Sequence, residues 1–212
     1  MPRTPRRRKK LFVTFEGIDG CGKSTQAMLA SQLLTRKHYQ VKLLREPGST
    51  PVAERIRAIL LDNTSSLADT TELLLYEAAR AELVTREIVP ALRAQQIVLC
   101  DRFYDSTAAY QGYGRKLDLR MVRSLHRVAV GDLKPDLTFL FDVDLDTALS
   151  RLGKNPDRLE SESRAFFRRV RQGFLEIARK ERRRVKVIDA TAAIDEIFEE
   201  VKRYLARRVD LI

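Results

Sequence analysis

No apolar run in this 212-residue chain approaches the roughly 18 residues that a membrane helix needs. Cysteine is scarce. Cys21 and Cys100 are the only two, which excludes a disulfide framework and fits a reducing, cytoplasmic setting. Histidine is equally scarce, and neither His38 nor His126 stands in a context that suggests a Ser-His-Asp set. The opening MPRTPRRRKK lacks the apolar segment and small-residue cleavage site of a secretory signal. Repeats, low-complexity linkers and domain boundaries are also missing. What is there is an ordinary hydrophobic content of 44%, enough for one domain with at most a small mobile appendage.

The net charge of +11 is unevenly spread, because residues 1–10 hold six Lys and Arg and no acid, leaving +5 for the other 202. Residues 1–10 are therefore expected to form a basic, disordered arm, since such charge blocks usually stay solvated. Residues 11–212 are expected to form a single domain. Nucleic acid is not an expected partner, apart from contacts the arm could make.

Five short apolar runs, at 11–16, 41–46, 97–101, 137–142 and 185–190, end near polar or acidic residues. Helical spacing fills 24–36, 52–61, 69–94, 118–130, 160–183 and 193–208. Strands alternating with helices predict an α/β fold with a five-stranded parallel sheet covered on both faces. The stretch RLGKNPDRLESES, 151–163, interrupts the helical signal with Gly, Pro and charge, and is expected to be a short mobile lid.

Gly17, Gly22, Lys23 and Ser24 satisfy G-x-x-x-x-G-K-[ST], with a strand leading in and a helix leading out, which is the context a P-loop requires. Such a loop turns amide N–H groups and the helix N-terminus toward phosphate oxygens. Gly17, Ile18, Asp19, Gly20, Cys21, Gly22, Lys23, Ser24 and Thr25 are thus the candidate ATP-binding residues. Lys23 is expected to neutralise the β- and γ-phosphates and Ser24 to ligate Mg²⁺. Asp101 closes a strand where α/β sheets present ligands; it either holds the magnesium with Ser24 or caps the next turn. Arg102 beside it suits a phosphate.

A switch GTPase would need Asn-Lys-x-Asp, and a transporter ATPase SGGQ; neither occurs. A nucleic-acid motor would have to fit in 212 residues. Transfer to a small acceptor remains. The ordered set FEGIDGCGKST, REPGST, LLLYEAAR, DRFYDSTAAYQG, PDLTFLFDV and DRLESE closely resembles bacterial thymidylate kinase, of the P-loop nucleoside monophosphate kinase family. The resemblance implies that fold, a homodimer, and Mg²⁺-dependent transfer of the γ-phosphoryl group of ATP to dTMP. Another acceptor such as dUMP or dCMP, or a nucleic-acid-binding ATPase, is the alternative.

Tyr76 and Arg80 are four residues apart and share a helix face. By resemblance Tyr76 stacks on the base and Arg80 bonds its O4. By the same resemblance Arg102 holds the acceptor phosphate and Asp19 sits near the sugar 3′-hydroxyl and phosphate. It also implies that Thr107 bonds the base edge, Tyr110 crowds the 2′ face, Gln111 and Ser106 line the pocket, Arg57 closes over the monophosphate, and Glu46-Pro47 forms a kinked segment with a cis proline. The usual REPGGT is REPGST here, so Ser49 stands in place of a glycine; if φ > 0 is needed there, Ser carries a cost.

Phosphoryl transfer needs positioning and electrostatic cover more than proton chemistry. Members of the family take that cover from a P-loop arginine or from lid arginines. Gly20 occupies the P-loop position, so the resemblance assigns it to Arg151 and Arg158, with Lys154 weaker. The expected catalytic set is Lys23, Asp19, Arg102, Arg151 and Arg158, with an Arg158→Ala loss in kcat of about 10³-fold. Cys21 and Cys100 are expected to be small buried fillers.

Overall fold

The computed structural model describes residues 8–153 and 157–211. Three of the apolar runs become strands with almost no exposed residue: β1 (Leu11–Glu16), β3 (Ile97–Asp101) and β4 (Leu137–Asp142). β2 (Val41–Arg45) and β5 (Val185–Asp189) are only partly buried, because they are the edges of a five-stranded parallel sheet ordered β2-β3-β1-β4-β5. Alternate residues of the central strands feed two cores. Leu11, Val13, Phe15, Ile97 and Leu99 pack on one face, and Phe12, Val98 and Cys100 on the other. Near-continuous apolar strands are what burial of both faces demands.

Helices cover both faces: α1 (Lys23–Arg36), α2 (Pro51–Leu61), α3 (Asp69–Leu83), α4 (Val89–Arg93), α5 (Tyr104–Thr107), α6 (Leu119–Val130), α7 (Leu145–Ser150), α8 (Arg164–Lys180) and α9 (Ile194–Leu205). Several starts are chemically marked. Thr50 accepts from the Ala53 N–H ahead of Pro51, and Asp118, Asp144 and Ser163 cap α6, α7 and α8.

The structure corrects several sequence boundaries. The helix expected over 69–94 is α3, a π-helical turn at Val84–Ile88 and α4. The helix expected from 160 begins at Arg164, because Asp157 Oδ1 accepts the N–H groups of Leu159 and Glu160 in a turn. The strand expected over 41–46 ends at Arg45 and that over 185–190 at Asp189. Short α5 with the π-helical stretch Ala108–Gly114, and α7, were not anticipated. Of the basic arm, Lys9 is tied to the body by its N–H to Gln95 O at 2.9 Å; residues 1–7 lie outside the described residues, as does Lys154.

β1 and β3 are neighbours whose following connections leave in opposite directions, to β2 and to β4. Their carboxyl ends form the crevice where such sheets bind ligands. Phe15, Asp101 and Arg45 are in register there.

Candidate active site

The loop between β1 and α1 is the first wall. Gly17 (φ 142°), Gly20 (φ 80°) and Gly22 (φ 87°) take conformations that side chains resist. A Cβ on Gly20 would lie 2.1 Å from Ala148 O, so that position cannot carry the arginine some kinases place there. Residues 19–25 line an open cleft of about 570 Å³ together with Arg151, Glu160 and Ile194. Gly17 and Ile18 sit behind it in the loop, and Ile18 O accepts from Lys23 Nζ at 3.4 Å. Lys23 Nζ also lies 3.3 Å from Asp19 Oδ1.

The Ser24 hydroxyl makes a short hydrogen bond to Asp101 Oδ2. Asp101 Oδ1 is buried without a hydrogen-bond partner among the described residues. An orphaned carboxylate oxygen beside a P-loop hydroxyl is a donor set that suits Mg²⁺, which takes one or two carboxylate-type ligands and phosphates. Cys21 and Cys100 are buried and unpaired by disulfide, and burial pushes both thiols up; they act as fillers.

The second wall encloses a tighter pocket of about 70 Å³. Every acceptor residue expected from the resemblance lines it: Asp19, Glu46, Pro47, Arg57, Tyr76, Arg80, Arg102, Ser106, Thr107, Tyr110 and Gln111. Arg102 has φ 69°, which turns its side chain back over the loop. Its Nη1 donates to Gly17 O and Ser106 Oγ, both at 3.0 Å, and its Nη2 to Asp19 Oδ1 at 2.5 Å. Tyr110 stacks under the guanidinium at 5.0 Å and donates to Asp19 Oδ2 at 2.9 Å. Burial alone would raise the Asp19 carboxyl, but Arg102 and Lys23 hold it well below the usual range. Burial would likewise lower Arg102, yet the surrounding anions, Asp19 first, keep it charged.

The end of the pocket around Arg80 is equally pre-assembled. Arg80, 1% exposed, donates through Nε and Nη2 to Glu46 Oε2 at 2.9 and 2.6 Å, and through Nη2 to Thr107 Oγ1 at 2.8 Å. Arg57 Nη1 donates to Pro47 O at 3.0 Å, and the Glu46–Pro47 bond is cis. The π-helical stretch widens the chain where Tyr110 and Gln111 enter the pocket, a frequent site for such bulges.

The two lid arginines part company. Arg151, just after α7, faces the P-loop cleft and donates to Ala190 O at 3.1 Å. Arg158 lies at the acceptor end, where it donates to Leu60 O at 2.9 Å and pairs with buried Glu72 at 2.7 Å. Sequence reasoning missed Glu72 as the hub of this corner, although it stands four residues before Tyr76 on the same helix face. Glu72 also accepts from Gln111 Nε2 at 2.8 Å and from Arg115 Nη2 at 3.0 Å. Glu16 was missed as well. It accepts from the Phe103 N–H at 2.8 Å and from the Ser106 hydroxyl at 2.5 Å, fixing the turn that carries Arg102. Its only sequence signal was an acid at a strand end.

Comparison with known proteins agrees with this geometry. The thymidylate kinase family model matches residues 15–201. The chain is 47% identical over 193 residues to a thymidylate kinase of Kosmotoga olearia, covering 90% of this chain and 93% of that protein. It is 49% identical over 195 residues to one of Geotalea daltonii, covering 87% and 91%. Among solved structures, a thymidylate kinase from Ehrlichia chaffeensis superposes with a TM-score of 0.77 at 38% identity, covering 93% of this chain and 99% of that one. With a P-loop cleft and a side-chain pocket meeting at Asp19, the chain belongs to the thymidylate kinase family.

Proposed function

We propose that the protein transfers the γ-phosphoryl group of ATP to dTMP, giving ADP and dTDP for dTTP synthesis. The observation that carries this reading is Asp19. It lines both cavities and lies between Lys23 on the donor side and Arg102 on the acceptor side. One carboxylate thereby holds the two phosphate-binding cations in fixed relation, which is the positioning that phosphoryl transfer requires.

Arg102, with Arg57 nearby, holds the acceptor phosphate. An oxygen of that already ionised phosphate attacks the γ-phosphorus, the bond to the β-phosphate oxygen breaks, and the electron pair leaves on ADP. No protein base is needed. Lys23 and the loop amides cover the β- and γ-phosphates, and Arg151 supplies further positive charge from the opposite wall of the cleft. Ser24 and Asp101 would hold Mg²⁺, which neutralises phosphate charge when bound with ATP. Tyr76, buried in the pocket, stacks on thymine while Arg80 and Thr107 read its edge.

Leu74 on α3 and Val128 on α6 are 49% and 84% exposed, which supports a homodimer packed through these helices; light scattering would read its mass. No helix among the described residues is long and apolar enough to cross a membrane, and a cytoplasmic enzyme fits the two buried free thiols. ADP release measured across dTMP, dUMP, dCMP, dGMP and short DNA tests the acceptor. Highest kcat/KM with dTMP is expected. Stimulation by DNA with indifference to all four monophosphates would overturn the reading.

A further inference from the structure

Behind the base end of the acceptor pocket runs a buried line of charge. Arg80 is gripped on its Nε–Nη2 edge by Glu46, and its Nη1 lies 2.9 Å from Glu77 Oε1 as an ion pair, without the alignment of a hydrogen bond. The same Glu77 oxygen makes a short contact with Nδ1 of His126 from α6. The His126 ring lies 5.5 Å from that of Tyr104. Among the described residues Glu77 has no other side-chain partner, and its Oε2 has none. Glu77 and His126 are absent from the pocket wall, so neither is placed to touch a ligand there.

Charge balance explains why this line exists. Arg80, Glu46 and Glu77 are 1%, 4% and 5% exposed, one cation against two anions. Uncompensated charge in such a place is costly. Burial pushes the Glu46 carboxyl up to about 7 even with Arg80 bonded to it. A hydrogen-bond donor on the far side of Glu77 stabilises its charged form, and Nδ1 of His126 is placed to supply it. A guanidinium is planar with donors in a fixed fork; the two bonds to Glu46 set its plane, and the Glu77 charge beside Nη1 adds an attraction that opposes its leaving that position.

We infer that Glu77 and His126 are positioning residues for pyrimidine recognition: His126 holds Glu77, and Glu77 holds Arg80 in the orientation that reads the base edge. This rests on the dTMP kinase reading above. It ties the base pocket to α6, an element that contributes nothing to the pocket wall.

Three variants test it: Glu77→Gln, His126→Leu, and His126→Asn, whose amide keeps a donor in the place of Nδ1. The readouts are KM for dTMP and ATP, kcat, the dTMP-over-dCMP preference, and melting temperature. Glu77→Gln and His126→Leu should raise KM for dTMP about tenfold and narrow the preference by a similar factor, with kcat and KM for ATP within about threefold. His126→Asn should recover most of the loss. Unchanged KM and preference in both breaking variants would overturn the inference. So would a melting-temperature loss that weakens ATP and dTMP equally, the mark of a merely structural pair. Should His126→Leu not fold, Glu77→Gln decides, because it keeps shape and removes only charge. Wild-type protein indifferent to dTMP removes the acceptor assignment and this inference together, whereas a dTMP-preferring wild type with unaffected variants removes the inference alone.

Discussion

The P-loop cleft and the acceptor pocket share Asp19 and little else. The cleft offers about 570 Å³ along residues 19–25 of the loop, with Gly20 where a side chain would collide with Ala148 and Gly22 at a φ of 87° that side chains resist. The pocket offers about 70 Å³ walled by side chains that are already paired with one another: Arg102 with Asp19, Arg80 with Glu46, Gln111 with Glu72. A triphosphate is the same in every nucleotide, so amide N–H groups and one lysine suffice to hold it. A base must be told from other bases. That calls for donors and acceptors fixed before the ligand arrives, because unmatched buried polar groups are what reject the wrong one.

The largest effect should separate the two regions outright. Lys23→Ala should lower kcat/KM by about 10³-fold or more through lost cover of the transferring group, while calorimetry finds dTMP affinity within about threefold of wild type. Loss of dTMP binding in that variant would mean the cavities cannot be separated across Asp19. The two lid arginines sharpen the division. Arg151→Ala should lower kcat by about 10²- to 10³-fold with little change in KM for dTMP, an arginine-finger-sized effect at the cleft. Arg158→Ala, which leaves Glu72 one partner short beside the pocket, should act chiefly on KM for dTMP, by about tenfold. The reverse order in steady-state kinetics would return Arg158 to the transferring phosphoryl, where the sequence placed it.

The same division governs what could be read from the chain alone. The cleft was legible because a P-loop is contiguous: seven neighbouring residues, 19–25, line it, and the strand before the loop is buried throughout and mostly apolar since both its faces are covered. The pocket's lining was legible only through the resemblance, which supplied Thr107, Tyr110 and Arg57 as positions, not as partners. The residues behind the lining were not legible at all. Glu77 meets His126 across 49 positions of chain, and Glu16 meets Ser106 across 90; no periodicity announces such meetings. The π-helical stretch at Ala108–Gly114 also escaped, because Gly112 and Gly114 weaken any helical reading of the segment and no helix was expected there. The separate placement of Arg151 at the cleft and Arg158 beside Glu72 depended on where the short turn at 157–163 folds, which composition does not encode.

Glu16 gives the comparison a reading in stability. Burial and the nearby Asp105 charge raise its carboxyl from 4.5 to about 8, despite the Ser106 and Phe103 bonds and Arg102. A carboxyl that titrates higher folded than unfolded favours the native state below its unfolded pKa and forfeits that support as pH climbs through the folded one. Glu16→Gln keeps the neutral shape and cannot ionise. Scanning calorimetry should therefore find the variant several degrees more stable than wild type near pH ~9 and close to it near pH ~5. A difference in melting temperature that is the same at both pH values would show that the carboxyl is not raised on folding, and a variant less stable than wild type near pH ~9 would show that the turn beneath Arg102 is held by a charge.

The smallest effect belongs to Ser49, where the pocket's rim departs from the family's usual glycine. Its φ of 66° is the left-handed conformation that costs a side chain about 1 kcal/mol. The hydroxyl offsets this locally, accepting from the Arg45 N–H at 2.9 Å and donating to Arg45 O at 3.2 Å. Its own N–H donates to Glu54 Oε1 at 2.7 Å, and Glu54 in turn holds Arg45. Ser49→Gly removes the strain but also two half-exposed hydrogen bonds and adds freedom to the unfolded chain. The terms nearly cancel, so unfolding free energy should move by less than about 1 kcal/mol and KM for dTMP by less than about threefold. A larger rise in KM would show that the hydroxyl holds Glu46 and Pro47 in place from outside, and that the pocket's preassembly extends to its rim.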